Sequence, residues 1–305
     1  MDERKTITLL YNYNENWIGG TYYILNIIKS LNILDDAKKP KIKILYNSKE
    51  SLVYIKQINY PFIEFIFYNN TLSFFKRFIN KLVRQFVNTI VFTVKVKGVD
   101  NIYPMEYIIK KKDINRFHFW IPDFQEQYLP ELFNTRVLNY RKLNHLYLVK
   151  KNYPIIFSSN TALNDYNKFY PNNKNPKKVL KFVSVLENNF ASLDINILKD
   201  KFNITKKYFI ISNQFWVHKN HKIILETVKA FKNEFKDIIF VFTGKEFDKR
   251  NPHYTSELKN YIKENNLTQY FKFLGFIKRE EQLLLMKYSI AIVQPSLFEG
   301  WSTVV

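Results

Sequence analysis

The sequence contains no cysteine, and this absence excludes both a disulfide framework and a thiolate metal centre. A reducing compartment such as the cytoplasm is the natural setting for such a chain. Hydrophobic residues make up 46% of the 305, but no apolar run reaches the ~20 residues of a membrane-spanning helix. The charged start, MDERKTITLL, argues against a signal peptide. We therefore expect a cytoplasmic protein with well-packed cores.

Glycine is also scarce, with only six residues in the chain. Gly244 and Gly275 directly follow candidate strands, while Gly19, Gly20 and Gly300 fall in strand-to-helix connections. In a parallel sheet such connections meet at the carboxyl edge, where the backbone approaches a ligand closely. Turn formation alone would explain any single glycine. The set as a whole indicates a ligand of sugar or nucleotide size.

Apolar runs of strand length alternate with amphipathic segments of helix length, which is typical of parallel sheets covered by helices on both faces. A chain of 305 residues suits two such domains. We predict an α/β fold with a doubly wound domain at 1–186, a linker at 187–207, a second doubly wound domain at 208–305, and a cleft between the domains. The candidate strands are TITLLYN (6–12), KIKILY (41–46), FIEFIF (62–67), FHFWI (117–121), PIIFSS (154–159), VLKFVS (179–184), YFIIS (208–212), IIFVFTG (238–244), YFKFLG (270–275) and IAIVQPS (290–296).

A net charge of +20 would suit contact with phosphate groups. The lysines are spread along the whole chain, however, and no nucleic-acid-binding signature occurs, so nucleic acid is not the expected partner. An anionic substrate or an anionic membrane surface fits the charge better.

The segment 72–92, LSFFKRFINKLVRQFVNTIVF, has the composition of an interfacial helix because aromatic residues alternate with lysine and arginine. Two interpretations remain open. One is peripheral docking on an anionic membrane, and the other is burial of the aromatic residues against the N-terminal sheet. The burial interpretation is the favoured one.

Lys219 and Asn220 come just before a helix-like segment in ISNQFWVHKNHKIILETVKAF (211–231). A helix N-terminus offers unpaired N–H groups and a partial positive charge, so a lysine there would complete a phosphate site. The alternative is that Asn220 caps the helix and Lys219 is solvated. His218 and His221 are three residues apart, but without a nearby carboxylate they indicate a metal site only weakly.

Together with the end of the chain, these segments resemble glycosyltransferase family 4, the retaining glycosyl transferases group 1 of the GT-B fold. In PSLFEGWSTVV (295–305), Glu299 matches the first acid of the family's E-x7-E signature, and the second acid would fall two positions beyond Val305. The family's phosphate-binding arginine and lysine fall on Gln214 and Lys219. WIGGTYYILNII (17–28), WIPDFQEQYLPELF (120–133) and SSNTALNDYNKFYP (158–171) resemble segments of the family's N-terminal domain.

The resemblance implies a GT-B fold of two Rossmann-like domains, the second incomplete, in an enzyme longer than this chain. It implies that Glu299 accepts hydrogen bonds from the hydroxyls of the donor sugar. Asp123 would lie near the reacting centre, unless it caps a helix after Pro122. The other residues that the resemblance assigns to the donor are Gly20, Gln214, Lys219, Asn220, Gly244, Phe276, Ile277 and the backbone N–H groups of Ser302, Thr303 and Val304.

The implied reaction moves a sugar from a nucleotide-diphosphate sugar to a glycan or a lipid-linked acceptor in cell-surface polysaccharide synthesis. No Asp-x-Asp occurs in the sequence, which fits an enzyme without a metal cofactor. Gln214 stands where the family has arginine, and this predicts weaker nucleotide binding unless another cation such as Lys245 compensates.

Two other classes of function stay open. They are a GT-B-like sugar-nucleotide epimerase and a basic membrane- or nucleic-acid-binding protein without catalysis. A nicotinamide-dependent oxidoreductase is disfavoured because WIGGTYY lacks G-x-G-x-x-G. The expected location is the cytoplasm, with peripheral contact on the inner face of the cell membrane through 72–92.

Overall fold

The computed structural model describes residues 4–11, 18–49, 51–67, 72–87, 91–92, 99, 101–105, 117–186, 190 and 192–302, with only the backbone at 18, 84–87 and 117. The chain divides into two compact units. Unit 1 comprises Met1–Phe124 and Thr135–Val185, and unit 2 comprises Gln125–Asn134 and Leu186–Val305. Each unit is built around a parallel β-sheet.

Unit 1 contains a sheet of seven strands. They are β1 (Thr6–Tyr11), β2 (Lys41–Tyr46), β3 (Ile63–Phe67), β4 (Ile102–Met105), β5 (Phe117–Ile121), β6 (Ile155–Phe157) and β7 (Lys177–Val179). Their order in the sheet is β3-β2-β1-β4-β5-β6-β7, and all of the strand pairs are parallel. The order reverses next to β1, and this is the topological switch point of a doubly wound sheet.

Helix α1 (Ile18–Asn32) of unit 1 packs an apolar face into the core beside this sheet. In α1, Ile24, Leu25 and Ile28 recur at helical spacing and are buried in the main core cluster. The N-terminus of α6 (Asn160–Phe169) is capped by Ser159, whose side chain accepts a hydrogen bond from the Ala162 N–H at 3.0 Å. The remaining helices are α2 (Leu52–Lys56), α3 (Phe74–Val87) and α5 (Thr135–Lys151).

Two strand assignments in unit 1 differ from the prediction. The central strand β4 was not predicted, because its sequence IYPM is short and contains Pro104, a residue that argues against a central strand. Ile102, Tyr103 and Met105 are nevertheless buried. The predicted strand at 179–184 is wrong beyond Val179, where β7 ends.

The favoured interpretation of 72–92 is also wrong. Phe74, Phe75 and Phe78 of α3 are exposed, with 79%, 69% and 50% of each residue accessible. The helix therefore does not bury these aromatic side chains against the sheet of unit 1. Among the described helices, none combines the length and hydropathy required to cross a bilayer.

Unit 2 contains β8 (Lys207–Ser212), β9 (Ile238–Thr243) and β10 (Phe271–Phe273), with the order β10-β9-β8 and parallel pairing. Residues 290–293 run parallel along the free side of β8, but only as an isolated bridge between Ile210 and Ile292. The predicted strand at 290–296 is thus a short extended segment beside β8 and not a full strand. It is held by hydrogen bonds from Ile290 N to Tyr208 O (2.8 Å), from Ile210 N to Ala291 O (3.1 Å) and from Val293 N to Ile210 O (2.9 Å).

Helices α7 (Ile195–Lys201), α8 (His221–Ala230), α9 (Tyr254–Glu264) and α10 (Arg279–Lys287) complete unit 2, together with the short α4 (Gln125–Tyr128). Helix α7 lies within 187–207 and packs Leu198 into the core of unit 2. The spacing of Ile224, Val228, Phe231 and Phe235 predicts that these residues share one face of a helix. Ile224 and Val228 of α8 are buried, but the helix ends at Ala230 and Phe231 is exposed.

Gly244 closes β9 in a conformation that other residues rarely adopt, with φ of 144°. A Cβ at this position would lie 2.0 Å from the carbonyl oxygen of Asn213. We expect Gly244→Ala to lower the free energy of unfolding by roughly 3 kcal/mol or more. Gly275→Ala is the matched control: φ is 67° but the nearest atom is 3.9 Å from the added Cβ, so a loss of about 1 kcal/mol is expected. Urea unfolding measures both, and equal losses would contradict the close approach.

Candidate functional site

The candidate site lies at the carboxyl edge of the unit 2 sheet, where β8 and β9 end. The backbone of Gly244 passes against the carbonyl of Asn213, and the Gly244 N–H donates to the carbonyl oxygen of Gly275 at 2.9 Å. The ends of three neighbouring strands are thereby drawn together, which is the edge where parallel sheets bind ligands.

A salt bridge joins Lys219 and Glu299, to which the resemblance assigns the diphosphate and the donor sugar. Lys219 Nζ lies 2.6 Å from Glu299 Oε1, although 80 positions separate the residues. Their side chains are 13% and 28% exposed. Gln294 Nε2 donates to the same Oε1 at 2.6 Å. The interpretation of Lys219 as a solvated residue is therefore wrong.

The loop after β8 positions Lys219. Residues Val217–Lys219 form a single 3₁₀ turn, Asn220 adopts the left-handed conformation with φ of 54°, and α8 then begins at His221. The Asn220 side chain makes no capping hydrogen bond, so the cap interpretation is wrong. Its Nδ2 instead donates to the carbonyl oxygen of Pro295 at 3.3 Å, which ties the loop to the segment that carries Glu299.

Asn213 and Gln294 complete this polar network, and the sequence-based reasoning missed both. Asn213 Nδ2 donates to Gln294 Oε1 at 2.9 Å, while Gln294 Nε2 bonds Glu299. Each residue directly follows the strand segment before it, β8 for Asn213 and 290–293 for Gln294. A polar side chain immediately after an apolar run is the signal by which both could have been found.

A second cation, Arg250, is fixed beside the same loop. Its Nε lies 3.3 Å from Oδ1 of the buried Asp248, and its Nη2 lies 3.3 Å from His218 Nδ1. The guanidinium also lies over the rings of Trp216 (5.6 Å) and Phe133 (5.3 Å). Charge pairing and cation–π contacts together hold this side chain in one position. No feature of the sequence pattern singled it out.

Residues 125–134 contribute to this unit from the middle of the chain. Beyond the contact of Phe133 with Arg250, the ring of Tyr128 lies 5.5 Å from that of Phe298, the residue before Glu299. Sequence periodicity does not reveal such a contact because the segment precedes Phe298 by more than half of the chain.

The two histidines of this loop are buried and neutral. Burial, reinforced by the positive charge of Lys219, lowers the pKa of both His218 and His221 to about 3. The His221 ring stacks on Phe215 at 4.5 Å, and neither of its nitrogens has a hydrogen-bond partner among the described residues. Within the described ranges, no group of three or more histidine or acidic side chains is arranged to hold a metal ion.

Of the other predicted donor residues of unit 2, Gln214 follows β8, whereas Phe276 and Ile277 follow β10. The Gln214 carbonyl accepts from the Trp216 N–H at 2.7 Å, and the Lys245 carbonyl accepts from the Phe215 N–H at 3.1 Å. Lys245, the predicted compensating cation, is thus bonded through its backbone to the loop that carries Gln214. Phe276 is exposed, Ile277 packs into the core, and Ser302 is half-buried. Thr303 and Val304 lie outside the described residues.

Two predicted site residues belong to unit 1. Gly20 lies in the first turn of α1. Asp123 follows β5, and its Oδ1 lies 3.8 Å from Nη1 of Arg141. In unit 2, Lys219 contacts Glu299 directly, and Asn220 bonds the carbonyl of Pro295 in the segment that carries Glu299. The roles that the resemblance assigns to all of these residues stay predictions.

Comparison with known proteins identifies the part of the chain that carries this site. Residues 194–305 match the sequence profile of the family described as "Glycosyl transferases group 1". Residues 194–305 belong to this family. The chain thus carries a glycosyltransferase domain, and it is in this domain that Lys219 and Glu299 meet. No significant match exists among curated protein sequences.

Solved structures extend the likeness to the whole chain and give the GT-B fold. A glycosyltransferase from Rickettsia africae ESF-5 is 14% identical, with a TM-score of 0.62 over 97% of this chain and 74% of that one. Anabaena HepE in complex with UDP and glucose is 13% identical, with a TM-score of 0.59 over 96% and 74%. An E. coli structure described as trehalose-6-phosphate bound with UDP-2-fluoro glucose is 12% identical, with a TM-score of 0.60 over 98% and 80%.

The buried His221 predicts a pH dependence of the stability of the glycosyltransferase domain. The unfolded chain binds a proton at His221 near pH 6.5 whereas the folded chain does so only at about pH 3, so the free energy of unfolding falls as pH drops through this window. In His221→Phe this slope should be shallower by up to ~1.4 kcal/mol per pH unit. Urea unfolding at pH 7, 6 and 5 measures it. The exposed His253, changed to Asn, is the control, and an unchanged slope in His221→Phe would refute the assignment.

Proposed function

We propose that this chain is a retaining glycosyltransferase that transfers a sugar from a nucleotide-diphosphate sugar to a glycan or lipid-linked acceptor in cell-surface polysaccharide synthesis. The observation that carries the proposal is the contact of Lys219 with Glu299 at the carboxyl edge of the sheet in the group 1 domain. One residue supplies a cation suited to a diphosphate, and the other supplies acceptors suited to sugar hydroxyls.

Two of the similar structures support the class of donor. HepE is in complex with UDP and glucose, and the E. coli structure is bound with UDP-2-fluoro glucose. Both ligands contain a nucleotide diphosphate and a sugar, or its fluoro analogue. We infer that the donor of this chain is of the same chemical class. We also propose the finer assignment to family 4, because Glu299 matches the first acid of that family's E-x7-E signature.

The proposed step breaks the bond between the anomeric carbon and the diphosphate oxygen and forms a bond to the acceptor oxygen. Negative charge grows on the departing diphosphate, where Lys219 and the N–H groups at the start of α8 would stabilise it. Retention requires that the acceptor oxygen reaches the face that the diphosphate leaves. The departing phosphate oxygen is then within reach of the acceptor's proton and accepts it.

Donor binding has to compete with the existing salt bridge. Lys219 Nζ is engaged by Glu299, and Gln294 donates to the same carboxylate oxygen. A diphosphate would replace Glu299 as the partner of Lys219, and the carboxylate would then become available to the sugar. Gln294 can keep Glu299 oriented during this exchange because its hydrogen bond does not depend on Lys219.

We expect Lys219→Ala to weaken binding of a UDP-sugar by roughly 10- to 100-fold, because it removes a charge-assisted hydrogen bond of about 1.5–3 kcal/mol. Isothermal titration calorimetry measures the affinity. The matched control is Lys222→Ala, three residues later and within α8, where the exposed ammonium pairs with Glu226 at 3.6 Å. Equal affinities of the wild type and Lys219→Ala, with both chains folded, would remove Lys219 from the diphosphate site.

Metal independence is a separate prediction. Since Lys219 and helix N–H groups are proposed to neutralise the leaving diphosphate, donor turnover should continue at an unchanged rate in excess EDTA. Product formation followed by NMR tests the rate and also the configuration at the anomeric carbon. Strict dependence on added Mn²⁺ or Mg²⁺ would refute the metal-free mechanism, and an inverted product would refute retention.

We also propose that this glycosyltransferase acts in the cytoplasm.

A further inference from the structure

Helix α3 of unit 1 carries a cluster of large apolar side chains that the fold leaves exposed. Phe74, Phe75 and Phe78 are 79%, 69% and 50% exposed, and Leu82 is 42% exposed. Single exposed apolar residues are ordinary on protein surfaces. Three phenylalanines and a leucine within nine consecutive residues form a patch, and such patches mark interaction sites.

The four apolar residues lie on one side of α3. At about 100° per residue, Phe74, Phe78, Leu82 and Phe75 fall within an arc of roughly 100°. Arg77 and Lys81 lie beside this arc on one flank, and both are exposed. The arrangement is that of a helix lying in the plane of a lipid interface, with apolar residues below and cations at the level of the headgroups.

The opposite side of α3 contacts Val91 and Phe92, which follow the helix in the chain. Asn80 Oδ1 accepts from the N–H groups of both Val91 and Phe92 at 2.8 Å, and its Nδ2 donates to the Phe92 carbonyl at 2.7 Å. Lys76 Nζ lies 5.9 Å from the centre of the Phe92 ring. Asn80 lies well outside the apolar arc, so these contacts hold the helix without covering its phenylalanines.

The positive charge of α3 indicates which kind of partner would cover its apolar face. The sequence of the helix, FFKRFINKLVRQFV, contains Lys76, Arg77, Lys81 and Arg84 but no acidic residue. A second copy of this face would bring Arg77 and Lys81 of each chain, four cations in all, together without compensating acids. An anionic lipid surface attracts the cations and accepts the aromatic rings at the boundary of headgroups and acyl chains.

We propose that α3 docks this protein on anionic lipid bilayers, with Phe74, Phe75, Phe78 and Leu82 inserted and Arg77 and Lys81 at the phosphate level. The proposal does not depend on the glycosyltransferase activity, because it concerns a surface of unit 1 and not the Lys219–Glu299 site. It predicts reversible peripheral binding, since one short helix buries only a few side chains.

Vesicle co-sedimentation with the full chain tests the inserted residues. Vesicles of phosphatidylglycerol and phosphatidylcholine should bind the wild type, pure phosphatidylcholine should bind it at least about tenfold less, and added salt should release it. Phe74→Ser/Phe78→Ser should reduce binding to the anionic vesicles by about tenfold or more. The matched control is Phe231→Ser, an exposed phenylalanine of unit 2, which should bind as the wild type does.

A site-specific label tests the orientation, and the absence of cysteine makes the label unique. An environment-sensitive fluorophore on Phe75→Cys should shift to the blue with anionic vesicles. The same label on Ile33→Cys, also exposed in unit 1, should not shift.

Three results would overturn the proposal. They are equal binding to anionic and neutral vesicles, no loss of binding in Phe74→Ser/Phe78→Ser, and equal fluorescence shifts at positions 75 and 33. Sedimentation velocity provides the remaining test. Self-association that the double serine variant abolishes, without vesicle binding by the wild type, would assign the patch to a second copy of the chain.

Discussion

The unit that carries the candidate site depends on the close approach of parallel strand ends at one edge of its sheet. Gly244 passes so near the Asn213 carbonyl that no side chain fits between them, and this contact fixes the distance between the loops that follow β8 and β9. Because parallel strands all point the same way, each loop that follows a strand emerges at this edge. The polar residues of separate loops thereby become neighbours.

The Lys219–Glu299 salt bridge is the chemical consequence of that constraint. A cation from the loop after β8 and a carboxylate from the loop after 290–293 meet at 2.6 Å, and Asn213 and Gln294 link the same two loops through side-chain hydrogen bonds. Arg250 supports the first loop from another side through His218 and Trp216. The site is therefore a network of weak contacts between loops that a rigid sheet positions.

Much of this architecture was predictable, for identifiable reasons. The strands KIKILY and FHFWI lie where their apolar runs predict, at Lys41–Tyr46 and Phe117–Ile121. The glycosyltransferase resemblance rested on the segments around Lys219 and Glu299 and on three segments of the N-terminal half, and the family match at 194–305 agrees with the C-terminal part. Strand β4 escaped prediction because Pro104 contradicts the usual pattern of a central strand, and only its place between β1 and β5 identifies it. The role of Asn220 was ambiguous because asparagine is common both as a helix cap and as a residue whose side chain bonds the backbone of another loop.

The sequence by itself determined the fold class, the segments that carry Lys219 and Glu299, and the charge of the chain, because periodicity, spacing and composition can be read without the tertiary structure. Tertiary structure alone decided three things. It decided that Lys219 is paired and not solvated, that residues 125–134 pack with the C-terminal unit through Tyr128 and Phe133, and that the aromatic side of α3 faces outward. Each depends on which distant segments come into contact, and an amphipathic helix has the same sequence pattern whether a sheet or a lipid surface covers its apolar side.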